Sequence, residues 1–173
     1  IWVTNTTHDS VSTIDPATGS VVGQHATLDA PFSLAFDGTH MWVTNWLGDT
    51  VGKIDPQTGD RVDVTVGAGP YGILFDGRSI WVTNFTDSTV SRIDPATNAV
   101  QSFPTASNPR GIGFDGHCIW VSAYGAGQVS THDPATGEHV DRWVGPTPRG
   151  ITFDGEHLWV ELGSNAQVVR LLP

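Results

Sequence analysis

Three short motifs recur along the chain in fixed register. Trp-Val pairs begin at Trp2, Trp42, Trp81, Trp120 and Trp159, at intervals of 40, 39, 39 and 39 residues. Phe-Asp-Gly begins at Phe36, Phe75, Phe114 and Phe153, and Asp-Pro at Asp15, Asp55, Asp94 and Asp133, with the next expected copy falling on Leu172-Pro173. A period of this length, held from end to end, makes the repeat the unit of structure. It leaves no internal linker, so the chain is one domain with repeats at approximately 1–30, 31–69, 70–108, 109–147 and 148–173.

The third copy shows what one unit folds into. Pro70 to Asp76, Ile80 to Asn84, Val90 to Asp94 and Ala99 to Phe103 are short segments bounded by turn residues, which predicts four antiparallel strands, A to D. Asp76-Gly77 can take the positive φ angles of a tight hairpin turn between A and B. Between C and D, Asp-Pro-x-Thr sets one φ with proline and offers a carboxylate to backbone N–H groups. Strands A and B are apolar on both faces, with Ile73, Phe75, Ile80 and Val82 opposing Leu74 and Trp81, so each small sheet is sandwiched between neighbours. Four-stranded antiparallel sheets of this size stacked on copies of themselves predict an all-β fold, a β-propeller. A β-solenoid would use shorter repeats without the hairpin turns.

The chain begins on a strand B and stops at the end of a strand C. That predicts three strands in the first blade, four in each of the next three and three in the last, about four and a half repeats in 173 residues. Three readings follow: an imperfect five-blade ring, part of a larger propeller, or two copies associating through open blade edges. The start at Ile1, with no initiator Met and no charged-then-apolar leader, is the expectation for a processed or excised segment.

Composition narrows the function classes. Eighteen acids against eight bases, seven of them Arg, give a net charge of −10, which repels phosphate backbones and argues against nucleic-acid binding. No apolar run approaches the roughly 18 residues of a membrane span, so no membrane insertion is expected. The single Cys118 allows neither an internal disulfide nor a thiolate zinc site.

The segments Met41-Trp-Val-Thr-Asn45 and Ile80-Trp-Val-Thr-Asn84, the latter followed by Thr89-Val-Ser-Arg-Ile-Asp-Pro-Ala-Thr97, resemble the YVTN family of β-propeller repeats. The stretches Trp42 to Pro56 and Leu158 onward are similar to the repeats of the streptogramin B lyase family. That resemblance implies a propeller throughout the chain. For the lyases it implies a seven-bladed ring with a magnesium site of His and Glu on loops of one face, serving a C–O lyase that linearises a cyclic peptide antibiotic. The chain departs from this pattern: Glu161 follows Trp159 by two residues rather than three, no Glu-x-His accompanies it, and His157 lies on the A-to-B turn side. No catalytic residue, metal ligand or cofactor is therefore carried over.

The A-to-B and C-to-D turns repeat almost unchanged, which marks their side as scaffold. The B-to-C and D-to-A loops differ between copies, and variation on a constant frame is where a repeat protein writes specificity. After the strand B Asn position come Thr6, Trp46, Phe85, Tyr124 and Gly163; after the Pro opening strand A come Phe32, Tyr71, Arg110 and Arg149. The second set is expected to ring the mouth of the central channel, because strand A is innermost in the propellers the chain resembles. Neighbouring guanidiniums there suit a carboxylate or phosphate, beside aromatics that stack on an apolar or sugar ring. Alternatively, both Arg seal the channel through backbone carbonyls or Asp, and Trp46, Phe85 and Tyr124 cap loops against the next blade.

Other features read as structure. The recurrent Asp residues cap turns, the repeat Trp residues pack between blades, and Asn5-Thr-Thr and Asn84-Phe-Thr match glycosylation acceptors that this repeat generates trivially. His8-Asp9 lies on the variable side and suits acid–base chemistry or simple solvation. The expected function is a binding or scaffold module for a small molecule, glycan or peptide. The alternatives are a lyase-like enzyme whose catalytic blades lie outside the chain or have diverged, and a purely structural repeat. Low Lys and abundant Thr, Asn and Trp, with the resemblance, suggest an exported bacterial protein.

Overall fold

A computed structural model describes residues 1–27, 29–164 and 166–172; Pro173 of the last repeat position lies outside the described residues. Among the described residues it contains eighteen strands and no helix, hence none long and apolar enough to cross a membrane. The first sheet holds β1 (Trp2–Asn5), β2 (Ser10–Ile14) and β3 (Val21–Ala26). The second holds β4 (Pro31–Phe36), β5 (Met41–Asn45), β6 (Thr50–Ile54) and β7 (Arg61–Thr65). The third holds β8 (Pro70–Phe75), β9 (Ile80–Asn84), β10 (Thr89–Ile93) and β11 (Val100–Pro104). The fourth holds β12 (Pro109–Phe114), β13 (Ile119–Ala123), β14 (Gln128–His132) and β15 (His139–Trp143), and the fifth β16 (Pro148–Phe153), β17 (Leu158–Leu162) and β18 (Gln167–Leu171). Every pairing is antiparallel between sequence neighbours, so each sheet is an up-and-down blade of a β-propeller.

Burial between sheets explains the recurring tryptophan. Trp42 packs with Ile73, Ile80 and Val82 of the third sheet, Trp81 with Ile112, Ile119 and Val121 of the fourth, and Trp120 with Leu158 and Val160 of the fifth. Each indole N–H also donates to the Asp of the preceding Phe-Asp-Gly: Trp42 to Asp37 (2.7 Å), Trp81 to Asp76 (2.8 Å), Trp120 to Asp115 (2.6 Å) and Trp159 to Asp154 (2.6 Å). The other carboxylate oxygen accepts two backbone N–H groups of the turn, as from Arg78 and Ser79 at Asp76. At Asp37 and Asp115 burial opposes ionisation, and these donors outweigh it and hold the carboxyl below its ordinary value. In these turns only the Gly takes positive φ, 95° at Gly77; the Asp serves as the cap instead.

The sheets form an arc. Extensive contacts join only successive sheets, through the inner strands β4, β8, β12 and β16, and the end sheets are not closed onto each other. The far face of the fifth sheet is correspondingly open, with Trp159 half-exposed and Val168 62% exposed, and Val3 on the first sheet is 39% exposed. Asn84 is fully buried with its amide donating to Thr89 and Ser91, so its acceptor-like motif is a packing element.

Candidate functional site

One irregularity of the inner strand aims the variable residues. In all four complete A–B pairings the register shifts after the opening proline: Pro31 faces Asn45 but Leu34 faces Val43, and the same slip follows Pro70, Pro109 and Pro148. Such a bulge re-aims the side chains it contains. Phe32, Tyr71, Arg110 and Arg149 are the residues set within it. Their carbonyls are fixed by hydroxyls of the preceding sheet: Thr4 donates to Phe32 (3.1 Å), Thr44 to Tyr71 (3.0 Å), Thr83 to Arg110 (2.9 Å) and Ser122 to Arg149 (2.5 Å). The glycine after Tyr71 is required by the close approach, since a Cβ on Gly72 would sit 2.5 Å from the Arg110 carbonyl oxygen.

The loop aromatics are placed by the backbone. Trp46 N–H donates to Ala30 (3.0 Å), Phe85 N–H to Gly69 (2.9 Å) and Tyr124 N–H to Asn108 (3.0 Å), pinning each B-to-C loop to the D-to-A loop before it. Carboxylates reinforce this: Asp9 accepts from Ala30 N–H and Asp49 from Gly69 N–H. Asp9 is thus a loop clamp, while the His8 ring meets the Thr7 hydroxyl at 3.0 Å and stays exposed.

The seven aromatic and arginine residues among the variable positions meet in one surface. Phe32 and Tyr71 have ring centroids 4.0 Å apart; Trp46 is edge-on to Tyr71 at 5.4 Å and also 5.4 Å from Phe85; Phe85 lies 6.4 Å from Tyr124. The Arg110 guanidinium lies over both Tyr71 (4.9 Å) and Tyr124 (5.2 Å) and donates to the Tyr71 hydroxyl at 2.8 Å. Arg149 lies 6.0 Å from the Tyr124 ring. The aromatics therefore do pack across blades as loop caps, yet Phe32 remains 39% exposed and Trp46, Tyr71, Phe85 and Tyr124 half-exposed. Among the described residues no carboxylate pairs with Arg110 or Arg149, so the channel-sealing alternative through Asp is not how they are held.

Beneath this surface an open cavity of about 460 Å³ is lined by Tyr71, Arg110, Arg149, Glu161 and the backbone of Gly72, Gly111 and Gly150. Glu161 was not among the expected binding residues. Its signal in the sequence is that it replaces the hydroxyl found two residues after Trp in every other copy, Thr4, Thr44, Thr83 and Ser122. The magnesium site that the lyase resemblance implies does not fit here: Glu161 shares the cavity with two guanidiniums and no His, a donor set that repels a cation. Among the described residues no group of three or more His, Cys, Asp or Glu is arranged to hold a metal.

A larger cavity of about 730 Å³ lies on the turn side, lined by Asp76, Arg92, Asp94 and Asp133 among others. Its carboxylates and Arg92 already have structural partners. Arg92 donates to the Pro134 and Ala135 carbonyls and to Gln101, stapling the third sheet to the fourth, while Asp76, Asp94 and Asp133 cap their own turns. On the surface around Tyr71, neither the Arg110 and Arg149 guanidiniums nor the Glu161 carboxylate makes an ion pair among the described residues.

No family model matches the chain, and no curated protein sequence does. Solved structures match its fold closely. The virginiamycin B lyase of Staphylococcus aureus, in a catalytically inactive form with quinupristin, superposes with a TM-score of 0.86 at 18% identity, over 99% of this chain and 62% of the lyase chain. The hydrazine synthase of Kuenenia stuttgartiensis gives 0.83 at 25% identity, over 92% and 51%, and a nidogen/laminin complex gives 0.82 at 16%, over 99% and 70%. The chain thus spans about 62% of the length of the lyase it resembles in fold. These likenesses establish the propeller.

Proposed function

We propose that the chain is a β-propeller binding module whose ligand site is the aromatic and guanidinium surface at the mouth of the central channel. The observation that carries this reading is convergence: seven residues at positions where the repeat varies form one contiguous surface, and three of them, Tyr71, Arg110 and Arg149, line the cavity, the two guanidiniums without a carboxylate partner among the described residues. A purely structural repeat has no need to place cations and exposed rings together at its variable end. The diversity of matching folds supports the same reading, since one was crystallised with quinupristin and another comes from a nidogen/laminin complex.

The test is the double change Arg110→Ala and Arg149→Ala, followed by titration of a library of small aromatic and anionic molecules. Molecules that bind the parent chain should lose about tenfold or more in affinity, the scale of a lost charge-assisted contact. A purely structural repeat predicts that every interaction survives the change.

A further inference from the structure

The fifth sheet breaks the pattern of the other four at one position, and the break adds a charge to the cavity. In the first four sheets the hydroxyl of Thr4, Thr44, Thr83 or Ser122 reaches the carbonyl of the next inner strand. The hydroxyls of Thr44, Thr83 and Ser122 also accept from a backbone N–H of their own sheet, at Ser33, Gly72 and Gly111 respectively. Glu161 can accept but cannot donate, so it cannot make that bridge. It stands exposed in the cavity beside Gly150.

Charges of opposite sign lining one cavity ordinarily neutralise each other. Here Glu161 makes no ion pair, and neither Arg110 nor Arg149 makes one, among the described residues. Arg110 is held away by the Tyr71 hydroxyl and its stacking between Tyr71 and Tyr124. A ligand that satisfies this cavity carries both signs. Along the arc the order is ring surface (Phe32 and Tyr71), then cations (Arg110 and Arg149), then the carboxylate of Glu161.

Resting on the binding-module reading, we infer that the site takes a zwitterionic aromatic α-amino acid. Its carboxylate lies on the Arg110 and Arg149 guanidiniums, its ammonium on Glu161 and its ring against Tyr71, on the side that Phe32 extends. The three groups radiate from one carbon, as Tyr71, the two guanidiniums and Glu161 line one cavity.

Calorimetric titration of the chain with three probes tests this: L-phenylalanine, 3-phenylpropionate, which lacks the ammonium, and 2-phenylethylamine, which lacks the carboxylate. The expected result is that phenylalanine binds about tenfold or more tightly than either analogue. Glu161→Gln should erase its advantage over 3-phenylpropionate while leaving 3-phenylpropionate binding unchanged, and Arg149→Ala should erase its advantage over 2-phenylethylamine. Both positions are exposed, and unchanged melting temperatures verify that the variants fold. Equal binding of phenylalanine and 3-phenylpropionate, or an advantage that survives Glu161→Gln, overturns the inference while leaving a binding module. Failure of all three probes also overturns it, and the library titration then decides the broader reading separately.

Discussion

Replacing His132 with isoleucine tests how one residue of the fourth sheet ties stability to pH. Strand C ends on Ile14, Ile54 and Ile93 in the first three sheets, but on His132 in the fourth. The ring has no exposed surface. Nδ1 lies 3.4 Å from the Gly137 carbonyl, which can only accept, so Nδ1 carries the proton and Nε2 accepts from the Thr105 hydroxyl at 3.1 Å. His139 stacks on it at 5.1 Å, with Asp141 3.9 Å beyond His139. Burial, reinforced by repulsion from His139, lowers the His132 pKa from 6.5 to about 4, against the opposing pull of the Gly137 carbonyl and Asp141. The unfolded chain protonates this histidine near pH 6.5 and the folded chain only near 4. Its contribution is therefore complete above pH 6.5 and is lost as pH falls to about 4. At about 1.4 kcal/mol per pH unit the loss reaches about 3 kcal/mol, which for a domain of this size lowers Tm by roughly 10 °C. Thermal melts of the parent and His132→Ile between pH 7.5 and 4.5 isolate the effect, because every other titrating group is common to both. The parent should lose stability steeply below pH 6.5 and the variant much less. Parallel curves, or a variant that is less stable throughout, would refute the assignment.

Three further outcomes follow from the packing. Trp81→Ala should cost about 3–5 kcal/mol in urea unfolding, the range for a large buried aromatic, since Trp81 fills the interface between the third and fourth sheets; a cost below about 1 kcal/mol would deny its role. Thr83→Val keeps the shape but removes the bridge from Gly72 N–H to the Arg110 carbonyl, and should destabilise by about 1–3 kcal/mol with the urea slope unchanged. The Trp159 indole, with the backbone N–H groups of His157 and Glu156, lowers the Asp154 carboxyl to about 2, so an NMR titration should find its midpoint near there; a midpoint near 3.8 would contradict the hydrogen bonds.

Periodicity made the strands legible because it reports which face of each strand is buried. Trp42, Trp81 and Trp120 sit where that reasoning puts them, and the Asp residues of both turns cap as their chemistry requires. The indole-to-carboxylate bond was present as a signal, an Asp five residues before each of four tryptophans, but pattern alone does not say that two such groups touch. The bulge after Pro31, Pro70, Pro109 and Pro148 was not legible, because no residue type demands it; only the hydroxyl bridges between sheets reveal why the backbone turns there. Glu161 does not fit a metal motif, and its departure shows only against Thr4, Thr44, Thr83 and Ser122, the hydroxyls at the same position of the other copies. Whether the sheets close depends on surfaces beyond any one repeat, so the half-exposed Trp159 could not be foreseen from Trp81.

The location of bound molecules tests the central claim most directly. A crystallographic screen soaking mixed aromatic and anionic fragments into the protein should find them gathered at the cavity lined by Tyr71, Arg110, Arg149 and Glu161. Fragments collecting instead in the turn-side cavity around Asp76, Arg92 and Asp133, with the channel mouth empty, would contradict it.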